Sequence, residues 1–190
     1  MMHLYIDFKC PAAYLALHPT LALGKKLGVP ISWHAIRSYQ SPLLQEKPDE
    51  EVGARHRRVR ALARQKTHQL YAEVQNLPLH FRDPPTNTDM ALAALSLLNE
   101  GGDDPLPFIT AAFNAYWTGD ADLNDARTVA PFSGAPAFPD DDEDGAHNRL
   151  EAALREAEDI GIFTSPTYIV NEQIFVGREH LPWIREILQT

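Results

Sequence analysis

With a single cysteine, Cys10, the sequence has no means of closing an internal disulfide, so a disulfide-stapled secreted scaffold is excluded. Positive charge is also in short supply. Lys and Arg number 17 against 26 Asp and Glu, a net charge of −9. A chain with that balance is a poor partner for nucleic acid or for an anionic membrane surface. No apolar run approaches the ~18 residues of a spanning helix. The first ten residues lack a basic stretch followed by an apolar one, so no secretory signal is visible. The eight histidines show no H-x-x-x-H or H-E-x-x-H spacing, and no metal site is expected. There is no internal repeat. The simplest reading is a cytoplasmic globular chain whose 190 residues make one domain, or one domain with a large insertion.

What is present supports that reading. Hydrophobic residues are 44% and charged residues 23%, enough to build a core without a disulfide or metal. His3 to Phe8 reads as a buried strand, rich in aromatic and branched residues. Cys10-Pro11 follows, then an Ala/Leu run; proline suits the first helical position, so Cys10 falls at the start of a helix. Pro19 is expected to disturb that helix if it runs so far, and Gly28-Val29-Pro30 ends it. Ile31 to Ile36 reads as a second strand, with Trp33 and Ala35 on one face and Ser32 and His34 on the other. From Asp49 to about Arg127 only helical patterns are found, including a stripe of Val59, Leu62, Ala63, Leu70, Val74 and Leu77. Asn124 is a candidate cap for a short helix through Val129. Ser133 to Gly145 reads as a loop holding the acidic run Asp140 to Asp144, which lacks the glycine and alternation of a calcium loop. An amphipathic helix follows over Ala146 to Ile160. A hairpin across Asn171-Glu172 and a last helix from about Glu179 to Leu188 complete the chain. The order βαβ, helical block, αββα is that of a thioredoxin-like α/β sheet with an inserted all-helical domain. The expected division is 1–48 with 146–190 for the sheet domain and 49–145 for the insert.

Local motifs carry a resemblance. Asp7-Phe8-Lys9-Cys10-Pro11-Ala12-Ala13-Tyr14-Leu15 resembles the D-F-x-[S/C]-P-x-x-Y-L opening of the DsbA-like superfamily. Leu77-Pro78-Leu79, Asn87-Thr88 and Ala115-Tyr116-Trp117 follow in family order. Ile160-Gly161-Ile162-Phe163-Thr164-Ser165-Pro166-Thr167 is similar to G-V-F-G-V-P-T, and Phe175 to Leu181 to F-W-G-x-D-R-L. The branch resembled is that of 2-hydroxychromene-2-carboxylate isomerase and the kappa-class glutathione transferases.

The resemblance implies a DsbA-like fold and an enzyme linked to glutathione. Cys10 is the implied catalytic group. Pro11, Ser165, Pro166, Thr167, Glu179 and His180 are the implied glutathione contacts, with Ser165-Pro166 cis, and Asn87 and Trp117 are candidates for the pocket wall. Those branches carry serine where this chain has Cys10, and Asp-Arg where it has Glu179-His180. Alanine at position 13 rules out a C-x-x-C dithiol cycle. Three functions stay open. The first is a glutathione-dependent isomerase or transferase acting on a small aromatic or hydrophobic compound. The second is a monothiol thiol-disulfide oxidoreductase cycling through a Cys10–glutathione mixed disulfide. The third is a thioredoxin-like module that binds without turnover. The expected partner is a small-molecule substrate, with no nucleic acid, no membrane and no metal, and a homodimer is possible. An isolated cysteine is most often a small buried hydrophobe; set at a helix N-terminus, the Cys10 thiol is expected to fall by about one unit, to ~7–7.5. The basic run Arg55, Arg57, Arg58, Arg60, Arg64 and Lys66 reads as a solvated helix face, or as holding carboxylates of glutathione or an acidic substrate.

Overall fold

The computed structural model describes residues 1–40, 49–84, 86–119, 121–133 and 143–189. Strand β1 (Met2–Ile6) leads through helix α1 (Pro11–Leu27) to β2 (Ile31–Ala35), and the two strands pair in parallel, Leu4 opposite Trp33 and Ile6 opposite Ala35. Strands β3 (Thr167–Val170) and β4 (Gln173–Val176) form a hairpin, and β3 lies antiparallel to β1 with Leu4 opposite Tyr168. The sheet order is therefore β2-β1-β3-β4. Asn171 and Glu172 both take positive φ, 48° and 64°, as a two-residue turn matched to strand twist requires. Leu4, Ile6, Trp33, Ala35, Tyr168 and Val170 are buried in one core with Tyr14, Leu15 and Leu17 of α1.

Between β2 and β3 the chain forms α2 (Val52–Val74), α3 (Asp89–Gly101), α4 (Leu106–Thr118), α5 (Ala126–Ser133) and α6 (Glu143–Asp159). A 3-10 turn (Arg178–His180) and α7 (Leu181–Gln189) close it. Among the described residues between Asp49 and Arg127 every regular element is helical. No described helix is long and apolar enough to cross a membrane.

Local physics explains where the elements depart from the sequence pattern. Helix α1 runs through Pro19. Proline donates no N–H, so the carbonyl four residues back, that of Leu15, loses its helical partner; the Gln75 side-chain amide donates to it instead at 3.3 Å. The expected cap Asn124 gives way to Asp125, whose carboxylate accepts from the Thr128 N–H at 3.1 Å and hydroxyl at 2.7 Å. The loop expected over Ser133 to Gly145 is shorter, because α6 already starts at Glu143; Asp140 to Asp142 lie outside the described residues. The apolar stripe of α2 forms a helix but not a buried face. Val59, Leu62, Leu70 and Val74 are exposed, and Ala72 is the buried residue of this helix.

Candidate active site

Asp7 directly follows β1 and never reaches solvent, being 0% exposed. A buried carboxylate must be hydrogen-bonded or paired. Here Thr88 donates its hydroxyl to Oδ1 at 2.7 Å, and Ser38 donates both N–H and hydroxyl to Oδ2 at 2.7 Å. The Lys9 N–H reaches Oδ1 at 3.2 Å, and its buried ammonium lies 3.4 Å from Oδ2. One carboxylate thus ties β1, the segment after β2 and the start of α3 together. Its backbone N–H donates to Ser165 Oγ at 2.8 Å, and its carbonyl accepts from the Cys10 N–H at 3.0 Å, tightening the turn that delivers Cys10 to the start of α1.

Cys10 is the N-cap of α1, with Pro11 in the first helical turn. Its thiol donates to the Ser165 carbonyl at 3.0 Å, 155 positions away in sequence. The Ser165–Pro166 bond is cis. Pro166 is buried, and its carbonyl accepts the Gly177 N–H at 2.9 Å. Thr167, also buried, opens β3 and donates to the Thr164 carbonyl at 2.7 Å. Cys10, Pro11, Ser165, Pro166 and Thr167 therefore belong to one small region. The Ser165 N–H has no partner among the described residues.

The expectation of a lowered thiol does not hold. Packing around the sulfur pushes the Cys10 thiol up to about 11, and the Asp7 charge adds to the rise. The N–H groups of Ala13 and Ala12 and the Ser165 contact pull the other way and are outweighed. At neutral pH this sulfur is a protonated donor.

The remaining candidates sit differently. Glu179 and His180 are exposed on the 3-10 turn, where the Glu179 carboxylate folds back over Gly177 and the His180 ring lies 5.9 Å from that of Phe175. Gly177 needs its φ of 95°, and any side chain there would meet Glu179. Asn87 is exposed, and its Oδ1 accepts the Asp89 N–H at 2.9 Å, fixing the start of α3. Trp117 is buried, with its indole N–H on the Phe8 carbonyl at 3.0 Å and its ring stacked on Tyr14. Neither is brought to the thiol by a contact. Sequence reasoning gave no role to Asp7, Lys9, Ser38 and Thr88, although a charged residue inside the apolar run Tyr5-Ile6-Asp7-Phe8 was a visible signal. Tyr39, next to Ser38, and Phe163, two residues before Ser165, are 84% and 63% exposed. Cavities of about 240 and 620 Å³ are lined by other residues and do not border Cys10. Among the described residues no group of three or more metal-ligating side chains occurs.

The profile of the DSBA-like thioredoxin domain matches residues 1–189. No curated protein sequence matches the chain. Solved structures do. A 2-hydroxychromene-2-carboxylate isomerase is 18% identical, with TM-score 0.66 over 99% of this chain and 94% of that one. A probable DsbA oxidoreductase from Streptomyces coelicolor is 15% identical, with TM-score 0.68 over 99% and 88%. The cytosolic disulfide reductase DsbM from Pseudomonas aeruginosa, in a structure with GSH, is 16% identical, with TM-score 0.57 over 99% and 96%. At these identities the likeness is one of fold.

Proposed function

The chain belongs to the DSBA-like thioredoxin domain family, and from that premise we propose that it is a glutathione-dependent isomerase or transferase in which Cys10 acts as a neutral donor that holds the glutathione thiolate. One contact carries the reading. The Cys10 thiol donates to the Ser165 carbonyl at 3.0 Å, and packing around the sulfur, which pushes the thiol up to about 11, agrees with it. An ordinary thiol ionises near ~8.5. A glutathione sulfur that stays less buried than Cys10 ionises first, and Cys10 then turns its S–H from the Ser165 carbonyl to that thiolate. This is the role a serine hydroxyl would fill, so cysteine at this position preserves the function of the donor.

The backbone supports the same reading. The Ser165 N–H and carbonyl, just ahead of β3, can pair with the cysteinyl part of glutathione like an added strand. Tyr39 and Phe163 offer apolar surface for a small aromatic or hydrophobic substrate. In isomerisation the thiolate adds to an electrophilic double bond, the carbon–carbon bond rotates as a single bond, and the carbon–sulfur bond breaks to return the thiolate. In transfer the carbon–sulfur bond persists and a leaving group departs. Neither needs a second cysteine. The DsbM structure with GSH lends support through a shared fold. The monothiol oxidoreductase reading needs Cys10 as a thiolate, which this environment opposes.

Calorimetry with reduced glutathione on wild type, Cys10→Ser and Cys10→Ala tests the proposal. Binding kept by serine and weakened roughly tenfold or more by alanine is expected. Equal binding by all three, or covalent capture of oxidised glutathione by wild type alone, overturns it.

A further inference from the structure

Parallel pairing of β1 with β2 sets Tyr5 directly opposite His34, and their rings stack with centroids 4.6 Å apart. Helices α3 and α6 pack on each other and on β2. Along α6, Arg149, Ala152, Ala153, Glu156 and Ala157 follow at i, i+3, i+4, i+7 and i+8, which is one helix face. Alanine extends a single carbon from the backbone, so this face leaves the space over the two rings unfilled. The result is the cavity of about 240 Å³ noted above. It has room for roughly eight water-sized groups at ~30 Å³ each. The polar atoms around it divide into those already used and those left over. Asn99 gives its amide N–H to the Trp33 carbonyl at 2.7 Å, and Ser96 gives its hydroxyl to the Leu92 carbonyl at 3.2 Å. Arg149 is paired with Glu100 at 3.3 Å. Tyr5 is only 8% exposed, yet its hydroxyl makes no hydrogen bond among the described residues. A buried hydroxyl without a partner costs free energy. Glu156 likewise makes no ion pair among the described residues. Burial, then the Glu156 charge, holds the Tyr5 phenol above its usual range, so that carboxylate is felt at the ring. His34 is kept neutral near pH 7 and adds no positive charge.

We propose that this cavity between the sheet, α3 and α6 is a ligand site separate from Cys10, and that it takes a small primary ammonium on a short apolar body. The groups left over can all accept: the Glu156 carboxylate, the Tyr5 oxygen and Asn99 Oδ1, whose own amide N–H is used on Trp33. An ammonium carries three N–H donors and no acceptor, which matches that set. A carboxylate acceptor makes its bond charge-assisted. An anion would meet Glu156 unscreened by any partner, since the one arginine of the lining is held by Glu100. Ala152, Ala153 and Ala157 cover the hydrocarbon part, and their small size limits the ligand to about eight heavy atoms. The site does not depend on the reading of Cys10.

The test titrates n-butylamine, protonated near pH ~7.5, into the full chain while NMR follows the ring protons of Tyr5 and His34. Butanol and butyrate serve as its neutral and anionic counterparts. Butylammonium is expected to shift both rings saturably and to bind at least tenfold more tightly than butanol or butyrate. Glu156→Gln should weaken it roughly fivefold or more. Glu158→Gln, exposed on the same helix and outside the cavity, should leave it unchanged. Tyr5→Phe keeps the ring and removes the hydroxyl, so butylammonium should bind severalfold more weakly. The urea midpoint of that variant should not fall, because the lost hydroxyl had no partner to strand. Three results each overturn the proposal: no saturable shift of the two rings, binding no tighter than that of butanol, or binding by Glu156→Gln equal to that of wild type.

Discussion

Cys10 sits under two opposing influences. The first turn of α1 favours its thiolate, and packing with the Asp7 charge favours its thiol. Packing wins, and this sets the sign of two measurements. In the native protein, alkylation of Cys10 by iodoacetamide should have its midpoint well above the ordinary ~8.5, and reach the ordinary value only on unfolding. The thiol is raised on folding from 9.0 to about 11, so its contribution to stability is fully present below pH ~9 and is lost as pH rises toward ~11. That loss, about 3 kcal/mol, should be absent from urea unfolding of Cys10→Ser. Asp7 is the other decisive residue. Asp7→Asn keeps the volume but leaves the buried Lys9 ammonium without its counter-charge. A cost of about 3–5 kcal/mol in urea unfolding is expected, partly recovered by Lys9→Met in the same chain. No loss would show that the Asp7 cluster is not structural.

At the scale of elements, strands and helices with strong periodicity were legible because neighbours in sequence decide them. Met2–Ile6, α1 after Cys10-Pro11 and the Asn171-Glu172 hairpin each carry their own signal. What was illegible depended on distant partners. Nothing near Pro19 says that α1 continues through it, since the compensating donor is Gln75, 60 positions away. Likewise nothing in the α2 stripe says that Val59, Leu62, Leu70 and Val74 stay exposed. The α1–α2 contact gives a sharp test. Gln75→Ala should destabilise the chain by ~1 kcal/mol by stranding the Leu15 carbonyl. In a Pro19→Ala background the new N–H serves that carbonyl, and the same change should cost close to nothing. An identical cost in both backgrounds, measured by a double-mutant cycle, would contradict the account.

Across the whole molecule, the sheet brings together groups that titrate at opposite ends of the pH scale. On β1 and β2, His3 Nδ1 lies 3.0 Å from His34 Nε2, which also meets Ser32 Oγ at 3.1 Å, while Tyr5 stacks on the His34 ring. Burial, then His3, lowers His34 to about 4. A histidine depressed on folding contributes stability that is present above ~6.5 and lost as pH falls toward ~4. Wild type should therefore lose stability across that window and His34→Gln should lose less; equal acid sensitivity would remove His34 as the cause. The site shows the same dependence on the whole fold. The position of Cys10 was legible from the strand-Cys-Pro-helix pattern, but its proton affinity was not, because Ser165 arrives from 155 positions away and Thr88 reaches Asp7 across 81. The central claim is that the protein keeps the Cys10 proton and ionises the ligand's sulfur. Ultraviolet thiolate absorbance near pH ~7, recorded during titration with reduced glutathione, tests it most directly. Ligand-free protein should show no thiolate, and glutathione should add one that persists in Cys10→Ser. A thiolate signal in ligand-free wild type that disappears in Cys10→Ser would contradict the account.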